Sequence, residues 1–571
     1  MLIRLIGVIS KENQGQVVEE FFELFKTPWE AYKPGRRYEV LVATADDLPD
    51  VSARLLLVYG CQTSSIDARQ GVVVRARHRG ARVCHHKFDV PIYGELATFE
   101  QVNSSTPVMT ASAGVAGLRS VSATGDVVIR IGYDLFEEVR FLLTSGQPGE
   151  YARIPTLDLH IAILRNWILN EGLPVLEIPP SPAGHPFAVC LTHDIDFVGI
   201  RNHKLDHTMW GFLLRSTFGA ALRYIRRSIS IGRLLDSWRA AASLPFVYLG
   251  WTKDFWAPFQ WYLQVEKGLP ATYFLIPFKG REGERVPGRH AYRRAAAYEV
   301  TDLKDWMSVL KRYGCELGVH GIDSWHNVEK GRSEAAKIRE LVSGRPAGIR
   351  IHWLLQDSQT PLILEESGYA YDSTSGYNET IGYRNGTTQV FRPLGVTTLL
   401  ELPLNIQDGA LFYPHNLNLT NSDAQKSCER LLANSQEFGG VLTLVWHDRS
   451  HAAERFWGDF YLVLIRMLKS SDAWFASGTD AVAWFRKRRQ VRFERKGTGD
   501  GAITVLRYDG QTPVPSFKLR VYSPTSAANR ARRPGDWAFV DILWRGEKDI
   551  EFDPVLNKIP ETGEMPASLP Q

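Results

Sequence analysis

Residues 187–196 read FAVCLTHDID, an apolar run from Phe187 to Leu191 that ends in Thr192-His193-Asp194-Ile195-Asp196. Such a run predicts a strand buried on both faces, as strands of parallel sheets are. Its ionisable end adds a chemical expectation, because carboxylates two residues apart on extended backbone point to the same side. Asp194 and Asp196 can therefore share a cation or divide the roles of proton acceptor and ligand, the structural alternative being a capping pair at a strand-to-helix turn.

Outward from this stretch the pattern repeats. Apolar runs at Ala271–Ile276, Glu316–His320, Gly348–His352, Tyr369–Asp372, Leu399–Leu402 and Val441–His447 mostly end in polar or ionisable residues and lead into helical patterns. With Phe187–Thr192 they predict an α/β fold, a deformed parallel β/α barrel of about seven strands over residues 181–489, with its active site at the C-terminal strand ends. The run Glu316-Leu317-Gly318-Val319-His320-Gly321-Ile322-Asp323-Ser324-Trp325-His326 brings two histidines and a carboxylate to one strand end, the N2O donor set of a catalytic zinc or ferrous ion. Val441–Asp448 delivers His447 to the same rim, where an imidazole can protonate a leaving amine; a satisfied core histidine is the alternative.

The flanks read differently. Residues 1–180 alternate β-like runs (Leu2–Ile9, Tyr38–Ala43, Leu55–Tyr59, Val127–Ile131) with helices at Leu135–Thr144 and Leu157–Asn170, predicting an N-terminal α/β accessory domain that ends in a proline-rich linker, residues 174–186. Residues 490–571 predict a small C-terminal β-rich domain with strands at Val491–Arg495, Ala502–Arg507, Phe517–Tyr522 and Trp537–Leu543, and a poorly ordered tail after Pro554. Residues 211–228, GFLLRSTFGAALRYIRRS, predict a basic amphipathic helix, read first as a surface helix packed on the barrel and second as a peripheral membrane contact.

Composition excludes some classes. A chain of 571 residues exceeds one hydrophobic core, and 67 basic against 63 acidic residues is too even to argue for a nucleic-acid partner. Five cysteines without a CxxC pair imply neither a disulfide framework nor a zinc knuckle. With no signal-like N-terminal segment and no long apolar run, the expected location is the cytoplasm. His85 and His86, beside Cys84, are read as structural.

The three chemistry-bearing segments, together with Gly268–Ile276, Arg350 and the strand end Tyr371-Asp372-Ser373-Thr374, resemble the polysaccharide deacetylase family, NodB-like and also called carbohydrate esterase family four. The resemblance spans roughly residues 187–489 and is closest to a divergent branch with THDxD and VHGxDxW segments. It implies a metal-dependent hydrolase that removes N-acetyl or O-acetyl groups from a polysaccharide or glycan intermediate. Asp194 is implied as the general base, Asp196 as a metal ligand, and His320 with His326 as the imidazole ligands. Here those histidines stand six apart where the family has four, which leaves Asp323 or His352 as substitutes for His326. Arg350 is implied as the residue that orients the base, His447 as the acid, and Asp372 as the aspartate that tunes it. The implied ion is divalent, zinc before iron, cobalt, nickel or manganese, and the implied partner is a carbohydrate.

Trp325, Trp353, Tyr377, Tyr383 and Trp446 crowd the predicted rim, and their faces suit stacking on sugar rings as well as core packing. The Gly-rich segment 376–387, GYNETIGYRNGT, reads as a substrate loop. Three other readings stand beside the deacetylase: an amidase or cyclic-imide hydrolase on the same barrel, a non-catalytic glycan-binding protein, and a membrane-associated assembly factor.

Overall fold

The computed structural model describes the chain apart from residues 1–4, 101–104, 123, 286–290, 342–347, 497–502, 523–536, 547–548 and 553–571. The tail expected after Pro554 lies outside the described residues. The chain forms two compact units, one of residues 1–140, 159–179 and 486–571, the other of residues 141–158 and 180–485.

In the first unit the parallel strands Ile6–Ile9, Tyr38–Ala43, Ala53–Tyr59 and Val127–Ile131 lie side by side, each burying Val, Leu or Ile. The sheet continues through antiparallel strands at Gly114–Val121, Ser105–Ala111, Arg82–His85 and Phe88–Pro91. The proline-rich run expected to be a linker contains a strand, Val175–Glu177, which pairs with Phe517–Tyr522. Its prolines flank the paired residues, so no ladder hydrogen bond is lost to them.

The second unit carries nine parallel strands: β1 (Ala188–Ile195), β2 (Ala271–Leu275), β3 (Glu316–Gly321), β4 (Gly348–Ile351), β5 (Tyr371–Asp372), β6 (Leu400–Glu401), β7 (Ile406–Gln407), β8 (Val441–Val445) and β9 (Trp474–Phe475). Their order is β6-β5-β4-β3-β2-β1-β8-β7, with β9 also paired to β1. All seven strands expected from the sequence are present, and β7 and β9 are the short additions. Between β6 and β7 the chain changes partners. Leu402 and Leu404 donate to Asp372 and Ser375 at 2.8 and 2.9 Å, and Asn405 donates to Thr443 at 3.1 Å, so the sheet curls into a deformed barrel. β1 is buried along its whole length, as its apolar run requires. Val189, Leu191, Tyr273, Leu275, Val319 and Ile351 belong to one core cluster, where each buried aliphatic side chain contributes about 1.5–3 kcal/mol.

The segment 376–387 is largely buried against residues 142–158 of the same unit, so it is an anchor and not the open substrate loop expected. Tyr383 N donates to Ala152 O at 2.7 Å, and Asn385 Nδ2 donates to Leu142 O at 2.8 Å. Gly382, at φ 144°, makes this approach feasible, since a Cβ there would lie 2.0 Å from Ala152 O. Between β1 and β2 the chain inserts helices α1 (His207–Leu214), α2 (Ala220–Ile225) and α3 (Ile231–Tyr248), with a π-helical turn, Arg215–Gly219, joining the first two. Their inward residues Met209, Phe212, Leu244 and Val247 share a cluster with Ile200 and Trp256, consistent with helices packed on the barrel.

Candidate metal centre and active site

The strand ends of β1, β3 and β4 bring three donors together. Asp196 follows β1, His320 lies within β3, and His352 follows β4; one ligand atom from each lies within 4.8 Å of the others. His320 Nε2 and His352 Nε2 stand 3.4 and 3.5 Å from Asp196 Oδ1. Asp196 Oδ1 and His320 Nε2 are buried without a hydrogen-bond partner, a costly state unless a further group joins them. The tautomer of His320 follows from its other nitrogen: Nδ1 lies 2.9 Å from Arg350 O, which can only accept, so the neutral ring keeps its proton on Nδ1 and presents the Nε2 lone pair. Burial, with His320 and Arg294 nearby, lowers His352 to about 3, so it is neutral at neutral pH. Burial alone would raise the Asp196 carboxyl, but His352, His320 and His447 hold it well below the usual carboxylate range. The Asp196 carboxylate and the His320 and His352 imidazoles, with Asp196 Oδ1 and His320 Nε2 buried and without partners, fit a divalent cation of borderline softness.

His326, expected as the second imidazole ligand, is placed elsewhere. Its Nε2 lies 3.1 Å from Asp323 Oδ1, and that oxygen accepts from Glu284 N at 2.9 Å. Six residues of separation carry His326 past the rim, whereas adjacent parallel pairing of β3 and β4 sets the His320 and His352 rings 4.8 Å apart. The imidazole beside Asp196 and His320 is thus His352. Among the described residues no other His, Cys, Asp and Glu group is disposed to hold an ion, His85 and His86 included.

Asp194 faces the same space from β1, its Oδ2 3.8 Å from His320 Nε2. Arg350 is fully buried and holds Asp194 from behind: Nη1 donates to Asp194 Oδ1 at 3.0 Å and to Thr192 Oγ1 at 2.6 Å, while Nε and Nη2 donate to Ser373 O and Oγ. His447 follows β8 across the rim. Its Nδ1 lies 2.6 Å from Asp408 Oδ1 and its backbone N donates to Asp408 Oδ2 at 2.8 Å; the Ser450 hydroxyl also donates to Asp408. Burial alone would lower the imidazole, but the Asp408 carboxylate, with Asp196 and Asp194 beyond it, raises it to about 10.

Asp408 occupies the position expected of Asp372. It follows the two-residue strand β7, whose pairing with β8 sets Gln407 opposite Val445. Asp372 instead accepts from Thr374 N and Oγ1 at 3.1 and 2.5 Å, and burial pushes its carboxyl up to about 6. No signal in the sequence marked Asp408, because β7 is too short to register as an apolar run.

The aromatic residues divide. Tyr383 and Trp446 are fully buried, Tyr383 Oη donating to Leu431 O at 3.1 Å and Trp446 packing on Phe460 and Tyr461, so neither ring face is open to a sugar. Tyr377 is also buried, its hydroxyl donating to Gln147 O at 2.7 Å. Trp325 and Trp353 are half-buried at the rim, Trp325 edge-on to His326 and Trp353 5.8 Å from the His352 ring. Tyr413 lies near His447 under Arg455 and Arg449. Burial would raise its hydroxyl, but the two guanidinium groups lower it to about 8.

No family model and no curated protein matches this chain. Solved structures similar to it include Agd3, a novel carbohydrate deacetylase, at 10% identity over 96% of this chain and 98% of that one, with a TM-score of 0.38. PuuE allantoinase is similar at 13% identity over 54% and 92% of the two chains, TM-score 0.33. A family 4 carbohydrate esterase from Streptomyces lividans is similar at 9% identity over 50% and 91%, TM-score 0.20.

Proposed function

We propose that this chain is a metal-dependent hydrolase that removes N-acetyl or O-acetyl groups from a glycan. The observation that carries this reading is the convergence at one barrel rim of a donor triad, Asp196, His320 and His352, with two separately held groups, the Asp194 carboxyl on Arg350 and the His447 imidazole on Asp408. Asp196, His320 and His352 would hold a divalent cation, zinc by donor type, which when bound supplies a Lewis acid that polarises a carbonyl and makes water more acidic.

The residues around it have distinct tasks. Asp194 accepts the proton of the attacking water; Arg350, itself held by Thr192 and Ser373, fixes the carboxylate through Oδ1 and leaves Oδ2 toward the reacting space. His447 carries a proton at neutral pH and gives it to the departing nitrogen or oxygen from Nε2, since Nδ1 is engaged by Asp408. Asp408, buried and anchored by the His447 backbone N and Ser450, fixes that ring and sustains its charge, as a buried carboxylate does for a catalytic imidazole elsewhere. Trp353, half-buried beside His352 with Arg294 over its ring, offers indole surface at the rim for a sugar.

The test is acetate release from a panel of N- and O-acetylated oligosaccharides by zinc-reconstituted protein, run beside small cyclic amides. Acetate release that is lost in His447→Ala and Asp194→Asn supports the proposal. Turnover of cyclic amides alone transfers the same residues to an amidase, and glycan binding without turnover of either class makes the chain a binding protein.

A further inference from the structure

The insertion between β1 and β2 exposes an unusual amount of apolar surface. Of the 23 exposed large apolar side chains among the described residues, 13 fall between Leu205 and Trp251. They are ordered. On α1, the π turn and α2, residues Trp210, Leu214, Phe218, Leu222 and Ile225 follow at spacings of four, four, four and three, one stripe along a helical face. The opposite stripe, Met209, Phe212, Ser216 and Ala220, is buried. The π-helical turn keeps both stripes in register along the run. On α3 Ile231, Leu235, Trp238 and Phe246 are exposed, as is Leu249 at its C-cap, while Leu234, Ser237, Leu244 and Val247 face inward. Each helix thus has two apolar faces, and packing accounts for one.

The charge of the insertion says what the other face meets. Residues 207–251 hold six arginines and one acidic residue, Asp236. Arg223 donates to Glu454 O at 2.7 Å and Arg233 pairs with Asp459, so these two fasten the helices to the barrel. Arg226 and Arg227 are exposed at the end of the α2 stripe, and among the described residues no carboxylate lies within ion-pairing distance of either. Tryptophans with their rings outward, aliphatic residues between them and arginines at the margin are the chemistry of a bilayer interface, where rings sit among headgroups and guanidinium groups meet phosphates. No helix among the described residues is long and apolar enough to cross a membrane, which leaves contact from one side.

We propose that the outward face of α1, α2 and α3 docks on an anionic lipid bilayer, with Trp210, Phe218, Ile225 and Trp238 in the interface and Arg226 and Arg227 on lipid phosphates. A bilayer satisfies the apolar stripes and the unpaired arginines together, whereas a second copy of this face would bring the same six arginines with one carboxylate and so no partners for them. This inference is independent of the hydrolase reading.

The test is flotation of full-length protein with phosphatidylcholine vesicles, with and without phosphatidylglycerol, alongside sedimentation equilibrium without lipid. The expected result is flotation with the anionic vesicles only and a monomer in solution. Arg226→Gln with Arg227→Gln should lower vesicle partitioning roughly 30-fold. Phe218→Ser with Trp238→Ser should abolish flotation, and both pairs should keep the unfolding midpoint, showing that the fold is intact. Absence of flotation with anionic vesicles overturns the proposal. So does a lipid-free dimer that Phe218→Ser with Trp238→Ser dissociates, because a second copy then covers the face.

Discussion

The rim of the barrel and the helical insertion depart from the usual placement of side chains in opposite senses. At the rim, ionisable groups are buried and two of their atoms, Asp196 Oδ1 and His320 Nε2, lack a partner; on the insertion, apolar side chains are exposed, Phe218 at 77% and Ile225 at 74%. Ordinary folding favours neither, since an unsatisfied buried polar atom costs about 1–3 kcal/mol and an exposed apolar stripe forgoes burial. Each departure makes sense once an external group is supplied, a cation in one case and a bilayer in the other. The contrast also separates their consequences: a change at the rim should damage chemistry and folding, a change on the insertion should spare both.

The largest effect is expected where a proton moves. Asp194→Asn and His447→Ala should each lower kcat for acetate release by about 10²–10⁴-fold with the metal retained, measured on reconstituted protein. Loss of metal in His447→Ala would blur the contrast, because His447 would then belong to the ion's support. Arg350→Met comes next. It strands Asp194 in a buried site, so unfolding in denaturant should show a loss of about 3–5 kcal/mol, and a loss under 1 kcal/mol would mean that the pair is far better solvated than its burial implies.

A smaller and more selective change is expected from Asp408→Asn. His447 stands near 10 because the Asp408 anion outweighs burial, and activity that needs its proton falls as pH rises through that value. Without that anion only the more distant Asp196 and Asp194 oppose burial, so the alkaline limb of kcat/KM should move to lower pH. A limb that stays in place would assign it to another group. The smallest effect belongs to the insertion: Phe218→Ser should shift stability by no more than about 0.5 kcal/mol and leave acetate release unchanged. A larger loss would show that the outward stripe is packed and not free.

How much of this the sequence displays depends on how each residue is delivered. Asp194 and Asp196 are legible because one buried strand carries the first and leads directly into the second, and His320, Arg350 and His447 because each sits in or just after an apolar run. His352 is legible only as a substitute, since nearness to His320 along the chain favours His326, while nearness in the fold follows from β3 pairing with β4. Asp408 was invisible behind a two-residue strand, and Asp372 stood in its place because its own strand end was easier to see. Trp446 shows a rule that was available: neighbours on extended backbone point to opposite sides, so the residue before a rim histidine belongs in the core. In the first unit, the strand Val73–Arg79 has Arg75, Arg77 and Arg79 and presents no apolar run, so its antiparallel pairing is not legible in the sequence.

The claim on which the rest depends is that Asp196, His320 and His352 form a metal centre. It is tested most directly by metal content, measured by elemental analysis after reconstitution, in the unaltered protein and in Asp196→Ala, His320→Ala, His352→Ala and His326→Ala. The account predicts one equivalent in the unaltered protein and in His326→Ala, and none in the other three. Metal retained by His352→Ala and lost from His326→Ala, or no metal in the unaltered protein, would contradict it.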